Sequence, residues 1–451
     1  MFVVAASYFF YGLWDWRFLF LIAFTSFCSF ITGIYIDRCL QRGKQHRAKY
    51  VCLGNVAINL AILGIFKYYN FFIENLAHLL SACGIHTNWP LLSWILPVGI
   101  SFYTFQALSY SIDIYRQKMR ATHDVVAFFA FISFFPQLVA GPIERATNLL
   151  PQFQRARNFD YAQATDGLRQ ILWGLFKKTV IADNCAVYVD QVFNHSGAYS
   201  GTALALGAFF FTFQIYGDFS GYSDMAIGTA KLLGISLQDN FKTPYFSRDM
   251  AEFWKRWHIS LNKWFVDYVY IPLGGSRGTR FQVIRNVFVI FLLSGLWHGA
   301  NWTYIGWGIY HATLFLPLIL LNKNKRYNGV AANGRMLPSA KETTEMAATF
   351  LLAMMGWILF RAENIHTACH IVAKIFTERP DMNLPLEEHS YKALLAIPLC
   401  LAFEWANRSC RHGLDIARVK QPWVRFTLYY LILIAIILLS GEAITFIYFQ
   451  F

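Results

Sequence analysis

Charge is what this sequence has least of. Asp, Glu, Lys and Arg make up 14% of its 451 residues, against about 25% in soluble domains. A water-exposed globule of this length is therefore excluded. Its eight cysteines form no CxxC pair and show no zinc-ligand spacing. That excludes a structural zinc, a redox dithiol and a disulfide framework as organising devices, and leaves the thiols as packing residues. A phosphate loop and a serine set at a strand-to-helix elbow are missing too. So are internal repeats, low-complexity tracts and any long soluble stretch. The opening segment, Met1–Trp14, has no basic n-region and no small-residue cleavage site. It reads as a short membrane segment and not as a cleavable leader.

Apolar sequence fills the space that charge leaves. Hydrophobic residues are 56% of the chain, aromatics 18%, and the mean hydropathy is +0.37. Runs of ~20 apolar residues mark transmembrane helices. They are read at 17–36, 51–69, 91–112, 125–141, 200–217, 284–298, 301–321, 346–360, 391–406 and 424–447, with 1–14 as a shortened addition. The expectation is an all-α polytopic membrane protein of ten to eleven segments. A single membrane domain over 1–451 is expected, with its core motifs in 91–310.

The surplus of 39 Lys+Arg over 26 Asp+Glu does not point to nucleic acid. The bases gather in short loops between apolar runs, five of them in 37–50 and five in 407–425, while 70–90 holds none. That alternation is the positive-inside pattern. It assigns 37–50, 113–124, 322–345 and 407–425 to the cytoplasm and 70–90 and 361–390 to the outside. Basic flanks at 277–285 and 322–326 require the chain between them to turn within the membrane, near Gly299–Asn301.

Three stretches carry candidate chemistry. In "YGDFSGYSDMAIG" (216–228) Asp218, Tyr222 and Asp224 stand beside an apolar span, and Gly221 and Gly228 share a helix face. Small residues at that spacing let helices approach closely in lipid. The aspartates either are satisfied within that contact or orient a catalytic group or line a channel, since intramembrane carboxylates are costly and usually functional. From 217 to 282 no clean span appears. Within it, "EFWKRWHISLNKWFVDYVYIPLGGSRG" (252–278) aligns Phe253, Trp257, Leu261, Trp264 and Tyr268 in one stripe. This predicts an amphipathic helix over 251–270 lying along the membrane surface. Lys255 and Arg256 on its basic face suit a phosphate-bearing donor. His258 borders the stripe, with Asn262 one turn on. "PLGGSRG" ends it in a turn.

The third stretch is "SGLWHGANWTYIGWGIYHATLFLPLILL" (294–321), where His298 lies between Trp297 and Gly299. A neutral imidazole in an apolar pocket is a competent general base. Trp297 and Trp302 are expected to wall it from water, and Gly299 and Ala300 to leave room for a substrate. A structural histidine joining two spans is the other reading. "FPQLVAGPIER" (135–145) reads as a re-entrant segment or a helix end, and "GWILFRAEN" (356–364) as an interfacial Arg–Glu anchor. His311 and His370 have no evident partner.

These stretches, with "ILPVGISFYTFQALSYSIDIYR", "VAGPIER" and "GWILFRAEN", resemble in order the membrane-bound O-acyltransferase family, over about residues 1–370. The likeness is to its bacterial branch, which acts on alginate, peptidoglycan and teichoic acids. It implies tilted helices ringed around a thin central pore, with re-entrant and interfacial helices. The family's near-invariant histidine falls on His298 and its second histidine on His258, with Asp218, Tyr222, Asp224, Asn262, Trp297 and Asn301 as supporting or channel-lining residues. His258 or Asn262 is expected to hold the thioester carbonyl as charge develops.

The implied chemistry moves an acetyl group from cytoplasmic acetyl-CoA, with no tightly bound cofactor and no metal. The acceptor is an extracytoplasmic polysaccharide, reached through a partner acetyltransferase, at the inner membrane of a bacterium. Membrane lipids are the other expected partners, and nucleic acid is not one. Relatives usually carry a further apolar segment ahead of "VVAASYFFYGLW", the motif at which this sequence begins; either the start is internal to a longer product or that first helix is absent. The alternatives are export of D-alanine or another acyl group, or a transporter whose His and Asp relay protons.

Overall fold

A computed structural model describes residues 1–447. All regular structure among them is helical. The chain divides into two compact units, residues 1–159 with 235–237, and residues 160–234 with 238–451.

The first unit holds α1 (Phe2–Gly12), α2 (Arg17–Gln41), α3 (Gln45–Ala82), α4 (Ile100–Tyr115), α5 (Val125–Leu138) and α6 (Ala146–Gln154). Two of these, α2 and α3, are long and apolar enough to cross a membrane. Close approach is made by small and polar residues. A Cβ on Gly33 of α2 would stand 2.5 Å from the Tyr110 ring of α4. The Asn55 amide of α3 donates to Ser111 Oγ at 2.7 Å.

Two expected spans change here. The 91–112 span becomes helical only from Ile100, because Pro97 lacks an N–H and Gly99 takes a left-handed φ of +73°. Its Cβ position is filled by the Leu138 carbonyl. The 125–141 span is a nine-residue helix capped by Asp124, then a break at Phe134 with Pro136 after it. At 1.5 Å per residue that is too short to cross. The segment after it, Gly141–Ile143, does not resume the helix; α6 begins at Ala146.

The second unit holds α7 (Tyr161–Phe176), continued by a π-turn over Lys177–Ala182, then α8 (Asp183–Asn194) and α9 (Gly201–Leu232). After a loop come α10 (Met250–Arg256), α11 (Ile259–Phe265), α12 (Arg280–His298), α13 (Trp302–Leu320), α14 (Ala340–Arg361), α15 (Ile365–Thr377), α16 (Glu388–Ala406) and α17 (Pro422–Leu439). Among them α12, α13, α14 and α17 are of membrane length and hydropathy, making six such helices in the described residues.

The turn predicted at Gly299–Asn301 is where α12 ends and α13 begins, and Asn301 caps α13 by accepting from Thr303 N at 3.0 Å. Thr279 and Ser339 cap α12 and α14 with reciprocal Gln282 and Glu342 contacts. All eight cysteines are free; Cys39, Cys52, Cys185 and Cys400 are buried as packing residues, and Cys83 and Cys369 are exposed.

Three readings are corrected in this unit. The helix begun at Gly201 does not end near 217 but runs 32 residues to Leu232. Helices α7 and α8, with no expected span, fill 161–194. Both follow from one packing solution. Gly221 of α9 lies against the Gly174 carbonyl of α7, and Gly228 against the Gly167 carbonyl; added Cβ atoms would sit 2.7 and 2.5 Å from those oxygens. Backbones this close place charged side chains of one helix on those of the other.

The third correction concerns 251–270, which is not a surface helix. It breaks between α10 and α11, and Phe253, Trp257, Leu261, Trp264 and Tyr268 are all buried. Its aromatic stripe packs into the core of the unit, where Trp257 meets Trp357 at 4.7 Å and Tyr245 at 6.0 Å. The predicted turn after it is present, with Gly274 at φ +104° and Gly275 at φ +57°.

Candidate active site

The break between α10 and α11 is made by His258, whose φ of +44° no β-branched or bulky residue adopts without strain. Asn262 bridges the break, donating from Nδ2 to the Trp254 and Trp257 carbonyls, each at 2.7 Å. These are carbonyls that the end of α10 leaves without helical partners. The amide nitrogen is thus taken up by backbone carbonyls.

The break presents the His258 ring inward, 1% exposed. Its Nδ1 lies 3.0 Å from Asn240 Oδ1. The same oxygen accepts from Ser260 Oγ at 2.9 Å and from the Ser260 N–H at 3.4 Å, while Asn240 Nδ2 donates to Ser223 Oγ at 3.1 Å. A backbone N–H can only donate, so the Asn240 orientation is set and Nδ1 of a neutral His258 carries the proton. Nε2 then bears a lone pair, and it has no hydrogen-bond partner among the described residues. This runs against the expected role of His258 as an oxyanion donor through that atom.

His298, the last residue of α12, is 4% exposed. Its ring centroid lies 6.4 Å from that of His258, with the planes at 56°. The wall around the pair is aromatic: Trp297, Trp307 and Phe360 lie 5.1, 5.2 and 5.2 Å from His298, and Phe219 lies 4.6 Å from His258. Trp297 lies against both rings, 5.1 Å from His298 and 5.7 Å from His258. Trp302, expected in the wall, is 55% exposed. Gly299 makes room for the Tyr304 ring and not for a substrate, since its Cβ position is filled by Tyr304 carbons. Asn301 caps α13 and ties it to the Glu363 carbonyl at 3.0 Å.

The remaining predicted residues lie elsewhere. Asp224 pairs with Lys177 Nζ at 2.7 Å and accepts from Gln170 Nε2 at 2.7 Å. Asp218 pairs with Lys178 Nζ at 2.9 Å and accepts from the Ile447 N–H at 2.7 Å. Lys177 also approaches Glu404 at 4.0 Å, and the Tyr216 hydroxyl donates to Glu404 at 2.6 Å. Outward along the α7–α9 seam, Lys231 pairs with Asp166 and donates to Gln170 at 2.8 Å. His412, 3.1 Å from Asp166, and then Lys231 hold that carboxyl well below the usual carboxylate range.

Tyr222 packs against Phe446, centroids 5.1 Å apart with the ring planes tilted by 35°. Arg256 is held by Glu252 at 2.8 Å and by the Gly329 carbonyl at 3.0 Å. Lys255 is exposed, its ammonium 3.3 Å from the Tyr327 carbonyl. Arg361 pairs with Asp190 at 2.7 Å and not with its neighbour Glu363.

Sequence reasoning missed Asn240, Trp307 and Phe360. Asn240 lies in a loop 18 residues before His258 with no motif to mark it. Trp307 and Phe360 looked like ordinary span residues.

A buried histidine pair enclosed by aromatics is a place for proton transfer away from water. Residues 116–324, which contain both histidines, match the profile of MBOAT, the membrane-bound O-acyltransferase family. The alginate O-acetylase AlgI of Pseudomonas aeruginosa is 41% identical over 83% of this chain and 69% of its own length. The chain belongs to the membrane-bound O-acyltransferase family. It is a multi-pass membrane protein and an acyltransferase. Other members it resembles are the peptidoglycan O-acetyltransferase of Helicobacter pylori, 34% identical over 82% of this chain and 72% of that protein, and the teichoic acid D-alanyltransferase of Bacillus subtilis, 29% identical over 62% and 74%. Membership in an acyltransferase family sets aside the pure transporter reading.

Proposed function

We propose that this acyltransferase moves an acetyl group from cytoplasmic acetyl-CoA, through a thin pore in the inner membrane, to an extracytoplasmic polysaccharide such as alginate, by way of a partner acetyltransferase. The observation that carries the chemistry is the buried pair of imidazoles 6.4 Å apart, one of them fixed in a single tautomer. Acetylation is favoured over D-alanylation because relatives named for O-acetylation are 34–41% identical and the D-alanyltransferase 29%.

In the reaction a hydroxyl oxygen attacks the thioester carbonyl carbon while His298 takes the hydroxyl proton. The tetrahedral intermediate collapses, the C–S bond breaks, and the imidazolium returns the proton to the leaving thiolate. His258 is a positioning residue. Asn240 holds its Nδ1–H, so its Nε2 lone pair lies on the other edge of the ring and steadies the imidazolium of His298 as it forms. The aromatic wall excludes water, which would otherwise hydrolyse the thioester.

The test is thiol release from acetyl-CoA by the purified protein, with a hydroxyl acceptor and with a D-alanyl thioester as the comparison donor. Turnover of acetyl-CoA that stops in His298→Gln is expected. Turnover of the D-alanyl thioester alone would overturn the acetyl reading, and unchanged turnover in His298→Gln would overturn the mechanism.

A further inference from the structure

Helices α10, α11, α12 and α13 enclose a cavity of about 330 Å³ that neither histidine lines. Its walls are Ile259, Phe265, Val266, Ile290, Phe291 and Phe315. Ile290 and Phe315 are partly exposed, on helices of membrane length. Lys255 and Lys263 also line it, and both are exposed.

These two ammonium groups differ from the other cations of the segment. Arg248 and Arg256 both pair with Glu252, at 2.9 and 2.8 Å, and Arg248 also reaches Glu342 at 3.4 Å. Neither Lys255 nor Lys263 has a carboxylate within 4.0 Å among the described residues. Asp267 is the acid on the wall, so the lining keeps a surplus of one positive charge. An apolar slot with unneutralised ammonium groups at its mouth is complementary to an anionic amphiphile.

The wall chemistry selects the kind of amphiphile. A pantetheine arm carries amides that need partners when buried. The polar lining is sparse beside the apolar walls: the Asn262 amide nitrogen already serves the Trp254 and Trp257 carbonyls, and its oxygen, the Trp254 indole N–H, Ser294, Asp267 and Asn324 are the other uncharged or acidic polar groups. A hydrocarbon chain asks for no partner.

We propose that this cavity seats one acyl chain of an anionic membrane phospholipid, with its phosphate held by Lys255 and Lys263. Ser294 is one turn before His298 on α12, and Ile259 follows His258 directly. The seated chain therefore packs against the elements that carry both imidazoles and keeps that side of them dry.

The experiment titrates the purified full-length protein with phosphatidylglycerol and with phosphatidylcholine of the same chains, read by native mass spectrometry. Phosphatidylglycerol is expected to bind at least tenfold more tightly. The Lys255→Gln/Lys263→Gln double variant should lose about twentyfold in phosphatidylglycerol affinity and leave the melting temperature unchanged. Ile290→Trp, which fills the slot while keeping both charges, should lose both lipids. Equal binding of the two lipids, or a double variant that keeps its preference, would overturn the proposal. So would stoichiometric displacement of phosphatidylglycerol by acetyl-CoA, which would assign the cavity and Lys255 to the acyl donor.

Discussion

Two polar regions lie inside the second unit, and they dispose of their polarity in opposite ways. Along the α7–α9 seam every charge meets its opposite: Lys177 meets Asp224, Lys178 meets Asp218 and Asp183, and Lys231 meets Asp166. Around His258 there is no charge of that kind. Asn240 fixes one ring nitrogen, aromatic rings surround the rest, and the other nitrogen keeps an unused lone pair. Charges that cancel hold helices together. A neutral imidazole with an unused lone pair in a dry place can steady the imidazolium that forms when His298 takes a proton. Intramembrane aspartates looked functional in the sequence because they are costly there; here their lysines meet that cost.

The largest expected effect tests the histidine side. His298→Gln should lower acyl transfer per folded molecule by about 10²–10⁴-fold, with the amount of inserted protein unchanged. Acetylated product, normalised to protein extracted from membranes, reads it.

On the seam the reverse is expected. Lys177→Met leaves Asp224 and Glu404 buried without their cation. Removing one partner of a buried pair costs about 3–5 kcal/mol, so folded yield and melting temperature should drop sharply. Lys177→Met/Asp224→Leu should recover part of that loss. Failure of the second change to help would show that the seam is not held by charge pairing.

Gly228→Leu sharpens the same point through packing alone. Its side chain would enter the 2.5 Å space now bounded by the Gly167 carbonyl. Overpacking of this kind costs about 1–3 kcal/mol, visible as a lower melting temperature. Transfer per folded molecule should hold.

The smallest effect is Asn240→Ala. His258 loses the acceptor that sets its tautomer, a hydrogen bond of about 1–1.5 kcal/mol. Transfer should fall about tenfold at normal yield, and Asn240→Asp, which keeps an acceptor, should restore part of it. An equal loss in both variants would remove tautomer control from the account.

Legibility in the sequence followed the same division. The helices around 17–36, 284–298, 301–321 and 346–360 were visible because long apolar runs have no other solution at that length. His298 was visible because an imidazole interrupts such a run, and the turn after it because basic flanks at 277–285 and 322–326 require one between them. Helices α7 and α8 were hidden, since Asp166, Lys177, Lys178 and Asp183 break the apolar pattern, and only their partners on other helices make them compatible with burial. The stripe at 253–268 was legible as a helix pattern but not as a broken one. The left-handed φ at His258 is a tertiary outcome, held by Asn262 and by Asn240. Periodicity cannot show a residue 18 positions away closing on a ring nitrogen.

The most direct test of the contrast is acyl transfer per folded molecule, measured side by side for His298→Gln and for Lys177→Met/Asp224→Leu. The account predicts that the first variant inserts normally and transfers at one hundredth of the wild-type rate or less. It predicts that the second is made in reduced amount but transfers within about threefold of wild type per folded molecule, a difference of about 0.6 kcal/mol. A His298→Gln protein keeping more than a tenth of wild-type transfer at normal yield, or a seam variant that folds well and cannot transfer, would contradict it.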